Sequence, residues 1–161
     1  MLKLIIIKKN YKNQTKLLID EFIQQGEINY VTLLTHTFKS VLMEYGMDIS
    51  PILQKIGNYI GEYLFSQLYD ENLENFLDNI SQYWRENNLG EIQFDTENKI
   101  RITCIDCFES FNFPKSGLPI CNLEKGMLEK LFNSYFKLDL NIEEVKCYSM
   151  GDGKCVYEIQ P

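Results

Sequence analysis

The chain has 161 residues, a formal net charge of −7, and hydrophobic side chains at 45% of positions. That length suffices for one domain with its own core, and the composition is that of folded sequence. The acidic balance repels phosphate backbones and argues against a nucleic-acid partner.

The opening run "MLKLIIIKKN" is apolar but too short to span a bilayer, and it lacks the small-residue cleavage site of a signal peptide. It reads as a buried strand or as an arm packing on a second subunit. No other run is long and apolar enough to be transmembrane, which predicts a soluble, cytoplasmic protein. The five cysteines are Cys104, Cys107, Cys121, Cys147 and Cys155. An odd count without a signal peptide speaks against a disulfide framework and for metal ligands or core thiols.

In chain order, "NQTKLLIDEFIQQG" places Leu17, Leu18, Phe22 and Ile23 at helical spacing. "NYVTLLTHTFKSVLMEYG" predicts a helix with Leu33, Leu34, Phe38, Val41, Leu42 and Tyr45 on one face and Gly46 as its stop. Ser50 and Pro51 open a third helix, "PILQKIGNYIGEYLFSQLY". On it Gly57 and Gly61, four apart, favour close approach of another element over a ligand contact. "ENLENFLDNISQYWRENNLG" is a further amphipathic helix, closed by Gly90. The period then changes. "EIQFD" and "KIRITCIDC" alternate around the turn "TEN" and predict a hairpin. "LPICNLEKGMLEKLFNSYFK" returns to helical spacing, and a last hairpin runs around Gly151-Asp152-Gly153. Together these give an α+β fold: N-terminal helices packed on an antiparallel sheet, with a C-terminal helix and hairpin.

The last hairpin puts Cys147 and Cys155 nearly opposite each other, with Cβ atoms about 4.5–5.5 Å apart on one face. Two such thiols can share a metal ion. Glu144, three residues before Cys147, points to the other face of a regular strand and joins them only if the strand bends or bulges. Spacing leaves the remaining ligands open. Cys121, at a helix start where the dipole favours a thiolate, is one candidate. The "CIDC" pair Cys104 and Cys107, making an all-cysteine site, is the other.

"PICNLEKG" followed by "EEVKCYSMGDGKCVYEI" resembles the C-terminal signature of the 4-vinyl reductase domain family, with Cys121, Gly126, Glu144, Cys147, Gly151 and Cys155 in register. The helical segment from about Thr32 is similar to the family's looser N-terminal pattern. The resemblance implies a fold related to ligand-binding domains of nitric-oxide-sensing and vesicle-tethering proteins. It also implies a sensory domain for small, often aromatic or apolar, molecules. By the family's phenol-sensing members, it further implies a structural zinc held by Cys121, Glu144, Cys147 and Cys155. Three thiolates and a carboxylate close the coordination sphere, so such a zinc has no open position for water activation. The family's second helix glycine is Lys130 here, and no DNA-binding or ATPase domain follows in the sequence.

The domain expectation is a single 4-vinyl-reductase-like domain over residues 1–161, with residues 1–30 as an N-terminal extension or dimerisation arm. The functional expectation is a stand-alone zinc-containing sensor or carrier of a small apolar or aromatic ligand, with Trp84, Phe108, Phe111, Phe113 and His36 as pocket candidates. The alternative is a non-catalytic assembly protein acting through a homodimer interface. A separate signalling protein is a further expected partner. No catalysis is expected: His36 is the sole histidine, in an apolar helix, and no G-x-G-x-x-G joins a strand to a helix.

Overall fold

The computed structural model describes residues 30–97 and 99–160. The strand or arm expected at the N-terminus, and the helix expected over "NQTKLLIDEFIQQG", lie outside them. The chain divides into two compact units, one ending at Ile49 and one running from Ser50 to the C-terminus.

In the first unit the described residues form one helix, α1 (Tyr30–Glu44), ending at the turn that holds Gly46. The helix is as its spacing predicts, but its buried side is not. Leu34, Phe38, Val41 and Tyr45 are exposed, whereas Thr32, His36, Lys39 and Ser40 are buried. Apolar periodicity specifies a helix and a stripe, not which side of the helix meets other atoms.

The second unit contains α2 (Ser50–Leu68), α3 (Leu73–Glu86), β1 (Glu91–Asp95), β2 (Arg101–Ile105), α4 (Asn122–Phe136), β3 (Asn141–Lys146) and β4 (Cys155–Gln160). The strands form one antiparallel sheet in the order β1-β2-β4-β3. This is the α+β architecture that the change of period implies. The side chain of Asn72 accepts from the Asn75 amide at 3.2 Å and caps α3.

Helices α3 and α4 pack against strands β1 and β3 respectively, and α2 lies along α4. The core between them holds Phe76, Ile80 and Trp84 of α3, Leu128, Leu131 and Phe132 of α4, and Ile102, Ile142 and Tyr157 of the sheet, all fully buried. Phe76 stacks on Tyr135 with centroids 4.6 Å apart and meets Phe132 edge-on.

The α2–α4 contact is backbone against backbone. A Cβ built on Gly57 would sit 2.1 Å from the Leu123 carbonyl oxygen, and one on Gly61 would sit 2.5 Å from that of Met127. Reciprocally, a Cβ on Gly126 of α4 would lie 2.2 Å from the Gln54 oxygen. The three glycines are there because the helices touch where a methyl would have to go. This contact fixes the height of α4, and with it the position of Cys121 at the helix N-terminus.

Candidate metal centre

The site is built where three separate pieces of chain meet: the N-terminus of α4, the β3–β4 hairpin and the segment 106–121. The hairpin tip turns through a short 3₁₀ segment, Tyr148–Met150, and Gly151, whose φ of 99° suits a residue without a Cβ. The amides of Ser116 and Gly117 both donate to the Ser149 carbonyl at 2.9 Å. The Ser149 hydroxyl donates in return to the Leu118 carbonyl at 2.5 Å. These bonds tie segment 106–121 to the hairpin tip and deliver Cys121 beside it.

The departure from regularity that Glu144 requires is present. Glu144 pairs with Tyr157 and Lys146 with Val156, so Val145 is an extra residue, a β-bulge. Two residues that face opposite ways on β4 thus correspond to positions 144 and 146 on β3. Glu144 takes the side of Tyr157, and Cys147, one step past Lys146, returns to that side.

Cys121, Glu144, Cys147 and Cys155 therefore converge, their ligand atoms all within 4.8 Å of one another. The sulfurs form a triangle: Cys121 to Cys147 is 3.7 Å, Cys121 to Cys155 is 3.6 Å and Cys147 to Cys155 is 3.9 Å. Zinc–sulfur bonds of about 2.3 Å at tetrahedral angles put sulfurs about 3.8 Å apart. A disulfide needs about 2.05 Å, and all five cysteines are free. The three cysteines are fully buried.

The carboxylate completes the arrangement. Glu144 Oε2 accepts the Cys121 backbone N–H at 3.0 Å. Glu144 Oε1 is buried and has no hydrogen-bond partner among the described residues. A buried oxygen without a donor costs roughly 1–3 kcal/mol, and a metal ion at the centre of the four groups would remove that cost. Around the thiols, Ser110 Oγ lies 3.0 Å from Cys155 Sγ and Ser149 Oγ 3.1 Å from Cys147 Sγ. Such outer contacts orient ligating sulfurs.

The electrostatics without a cation are those of acids competing for one charge. Burial, then the charge of Cys147, pushes the Glu144 carboxyl up to about 9. Cys147 is held low by hydrogen bonds from Cys121 and Cys155. Cys155 is pushed up, chiefly through its contact with Cys107, and burial pushes Cys121 up. One sulfur ionises at the expense of its neighbours. A divalent cation reverses this, since its own charge deprotonates coordinating thiols.

The other pair, Cys104 and Cys107, does not join Cys147 and Cys155 in a four-sulfur site. Cys104 is on β2 and Cys107 lies beyond its end, and both point at Glu124. Spacing gave no notice of Glu124. Three residues after the N-cap Cys121, it looks like an exposed first-turn acid. The available signal was its place in the buried row with Leu128 and Leu131, at i, i+4 and i+7.

The five pocket candidates are dispersed. Trp84 is fully buried and donates its indole N–H to Glu124 Oε1 at 2.7 Å. Phe108 and Phe113 are buried in segment 106–121, while Phe111 is at the surface, edge-on to Tyr148. His36 is buried in the first unit. A surface cleft of about 350 Å³ along α2 and α4 is lined by Lys55, Glu62, Glu129, Lys130 and other polar groups, with none of these five.

Comparison with known proteins agrees with the resemblance seen in the sequence. The model of the 4-vinyl reductase domain family matches residues 100–161. An uncharacterised protein of Methanocaldococcus jannaschii, MJ1642, is 31% identical over 102 residues, 63% of this chain and 61% of its own length. This chain thus spans less than two thirds of that relative. A second protein of the same organism, MJ0745, is 24% identical over 96% of this chain and 76% of its own.

Among solved structures, the fold is similar to a vinyl-4-reductase family protein from M. jannaschii, with TM-score 0.54 and 22% identity over 67% of this chain and 66% of that one. It is also similar to the phenol-responsive sensory domain of the transcription activator PoxR with phenol, with TM-score 0.63 and 13% identity over 81% and 74%. A third likeness is to a trafficking protein particle complex subunit 3 from Naegleria fowleri covalently bound to palmitic acid, with TM-score 0.58 and 14% identity over 81% and 94%.

Proposed function

We propose that this chain, which carries 4-vinyl reductase domain sequence over residues 100–161, is a zinc-containing domain that binds a small apolar or aromatic molecule, as a sensor or carrier. The observation that carries the zinc reading is Glu144 Oε1, a buried carboxylate oxygen without a hydrogen-bond donor among the described residues, beside three sulfurs at tetrahedral spacing. Cys121, Glu144, Cys147 and Cys155 would hold the ion. Four protein ligands make it structural: it would join the α4 N-terminus to the hairpin and supply no reactive water. The chain is then a non-catalytic protein of the cytoplasm.

The ligand reading draws support from two neighbours of similar fold, one solved with phenol and one carrying palmitic acid. The proposed contacts are Trp84, Phe108, Phe111, Phe113 and His36. Native mass spectrometry of unheated full-length protein tests both parts. The expected result is bound zinc that is lost in Cys121→Ser and Cys155→Ser, together with a retained apolar molecule. Zinc-free protein whose thermal unfolding is unchanged by chelator would refute the metal part. Protein with no retained molecule and no response to added phenol or fatty acid would refute the ligand part.

A second reading, an assembly protein acting as a homodimer, draws support from α2. Ile52, Ile56, Tyr59, Ile60 and Tyr63 form an exposed apolar stripe at helical spacing. Here the chain is one domain over residues 1–161, with residues 1–30 as its dimerisation arm and a separate signalling protein as a further partner. Sedimentation of the full chain as a monomer at all concentrations would refute it.

No helix among the described residues is long and apolar enough to cross a membrane.

A further inference from the structure

We propose that Cys104, Cys107 and Glu124 form a second buried metal position, for a thiophilic divalent ion such as zinc, beside the one that includes Cys121. The three ligand atoms lie within 4.8 Å of one another, and all three side chains are fully buried. Cys104 Sγ is 3.3 Å from Glu124 Oε1, and Cys107 Sγ is 3.0 Å from Glu124 Oε2. Bonds of about 2.3 Å to sulfur and about 2.0 Å to oxygen at tetrahedral angles put such atoms about 3.5 Å apart. The observed spacings need only small adjustment.

The surroundings of Glu124 are those of a ligating carboxylate. Its oxygens meet the Trp84 indole N–H at 2.7 Å, the Tyr157 hydroxyl and the two thiols. None of these is a cation. A carboxyl so placed is either neutral or balanced by a positive charge that no side chain among these partners supplies. Trp84 and Tyr157, each fully buried, hold the carboxylate from outside, as outer-shell donors orient metal ligands. The α4 backbone is fixed at the same point, because the Glu124 amide donates to Glu109 Oε2 at 2.6 Å.

Donor chemistry selects the ion. Two thiolates exclude magnesium and calcium, and the carboxylate favours zinc over cuprous copper. Three protein ligands leave a fourth position, unlike the closed site next to it. The two positions touch, since Cys107 Sγ is 3.6 Å from Cys121 Sγ. They rest on different residues, and the second does not need the first to be occupied.

The test is zinc stoichiometry of the full-length chain by native mass spectrometry, with cobalt titration as a readout that requires no variant. Wild-type protein is expected to bind two zinc ions per chain. The double variant Cys104→Ser/Cys107→Ser, and separately Glu124→Gln, are expected to bind one. Cobalt added to the metal-free wild-type chain should raise sulfur-to-cobalt charge-transfer absorption through a second equivalent. A single zinc that survives Cys104→Ser/Cys107→Ser, or absorption that saturates at one equivalent, overturns the proposal. A single zinc lost in Cys104→Ser/Cys107→Ser but kept in Cys155→Ser would support it while refuting the closed site.

Discussion

Replacing Gly57 with alanine tests whether the metal centre depends on how closely α2 and α4 approach. The new methyl would lie 2.1 Å from the Leu123 carbonyl oxygen, 2.9 Å from the Met127 amide nitrogen and 3.0 Å from Gly126 Cα. A methyl needs about 3.4 Å from a carbonyl oxygen. The shortfall is therefore about 1.3 Å, and every atom it meets is main chain, so no side chain can rotate away. The helices must separate or tilt. Overpacking of this kind costs about 1–3 kcal/mol, and here the upper end applies. Alanine returns up to about 1 kcal/mol of helix propensity, which leaves a net loss of about 2 kcal/mol. For a unit of this size that lowers Tm by roughly 10 °C. The separation also moves Cys121, which caps α4, away from the hairpin sulfurs, so zinc affinity should fall together with stability. The assay is thermal unfolding with and without chelator, alongside zinc competition with a chromogenic chelator. A Gly57→Ala protein with unchanged Tm and zinc affinity would refute the close-packing argument. One with lowered Tm and unchanged affinity would show that α4 tilts about its N-terminus and spares the site.

Trp84→Phe keeps the ring volume approximately but leaves Glu124 Oε1 without its indole donor; the expected loss is about 1–3 kcal/mol, read by denaturant unfolding. Metal-free protein should lose stability as pH rises from near 4.5 towards 9. The folded Glu144 carboxyl, pushed up to about 9 from an ordinary 4.5, binds its proton more tightly than the unfolded one over that window. Zinc-loaded protein should show the opposite sign, losing stability and metal as pH falls and the thiolates protonate; chelator titrations of Tm across pH check both. Deleting Val145, the extra residue of the bulge, should preserve zinc binding, because Glu144 and Cys147 then stand two apart and still share a face. A folded variant that binds no zinc would contradict that register.

Much of the architecture is readable because period and punctuation agree. Between Ser50 and Gly90 the helices carry their own caps and stops, and the change to alternation at Glu91 marks the sheet. The close contact at Gly57 and Gly61 is readable for the same reason, since a helix tolerates two such glycines where something else fills their space. The exposed apolar face of α1 is not readable. Leu34, Phe38 and Val41 carry a strong helical period, yet the buried side chains are His36, Lys39 and Ser40. A stripe reports that a partner surface is compatible with it, not that the chain provides one.

The cysteines divide along the same line. Cys147 and Cys155 follow from hairpin pairing, which is local. Cys121 depends on a segment whose path is set by hydrogen bonds from Ser116, Gly117 and Ser149, and nothing local in the sequence announces that closure. Glu144 is the instructive position. Strand alternation aims it away from the sulfurs, and only the extra residue Val145 brings it back. A bulge leaves no strong mark in composition, because any residue can occupy it where no positive φ is required. What alternation does supply is the conflict itself. A glutamate aimed at the buried side of a sheet by its partner Tyr157, in a strand whose Cys147 also faces inward, is satisfied only if the ladder slips by one. Glu124 shows the converse: its position in the buried row of α4 was visible, and the habit of reading a first-turn acid as exposed concealed it.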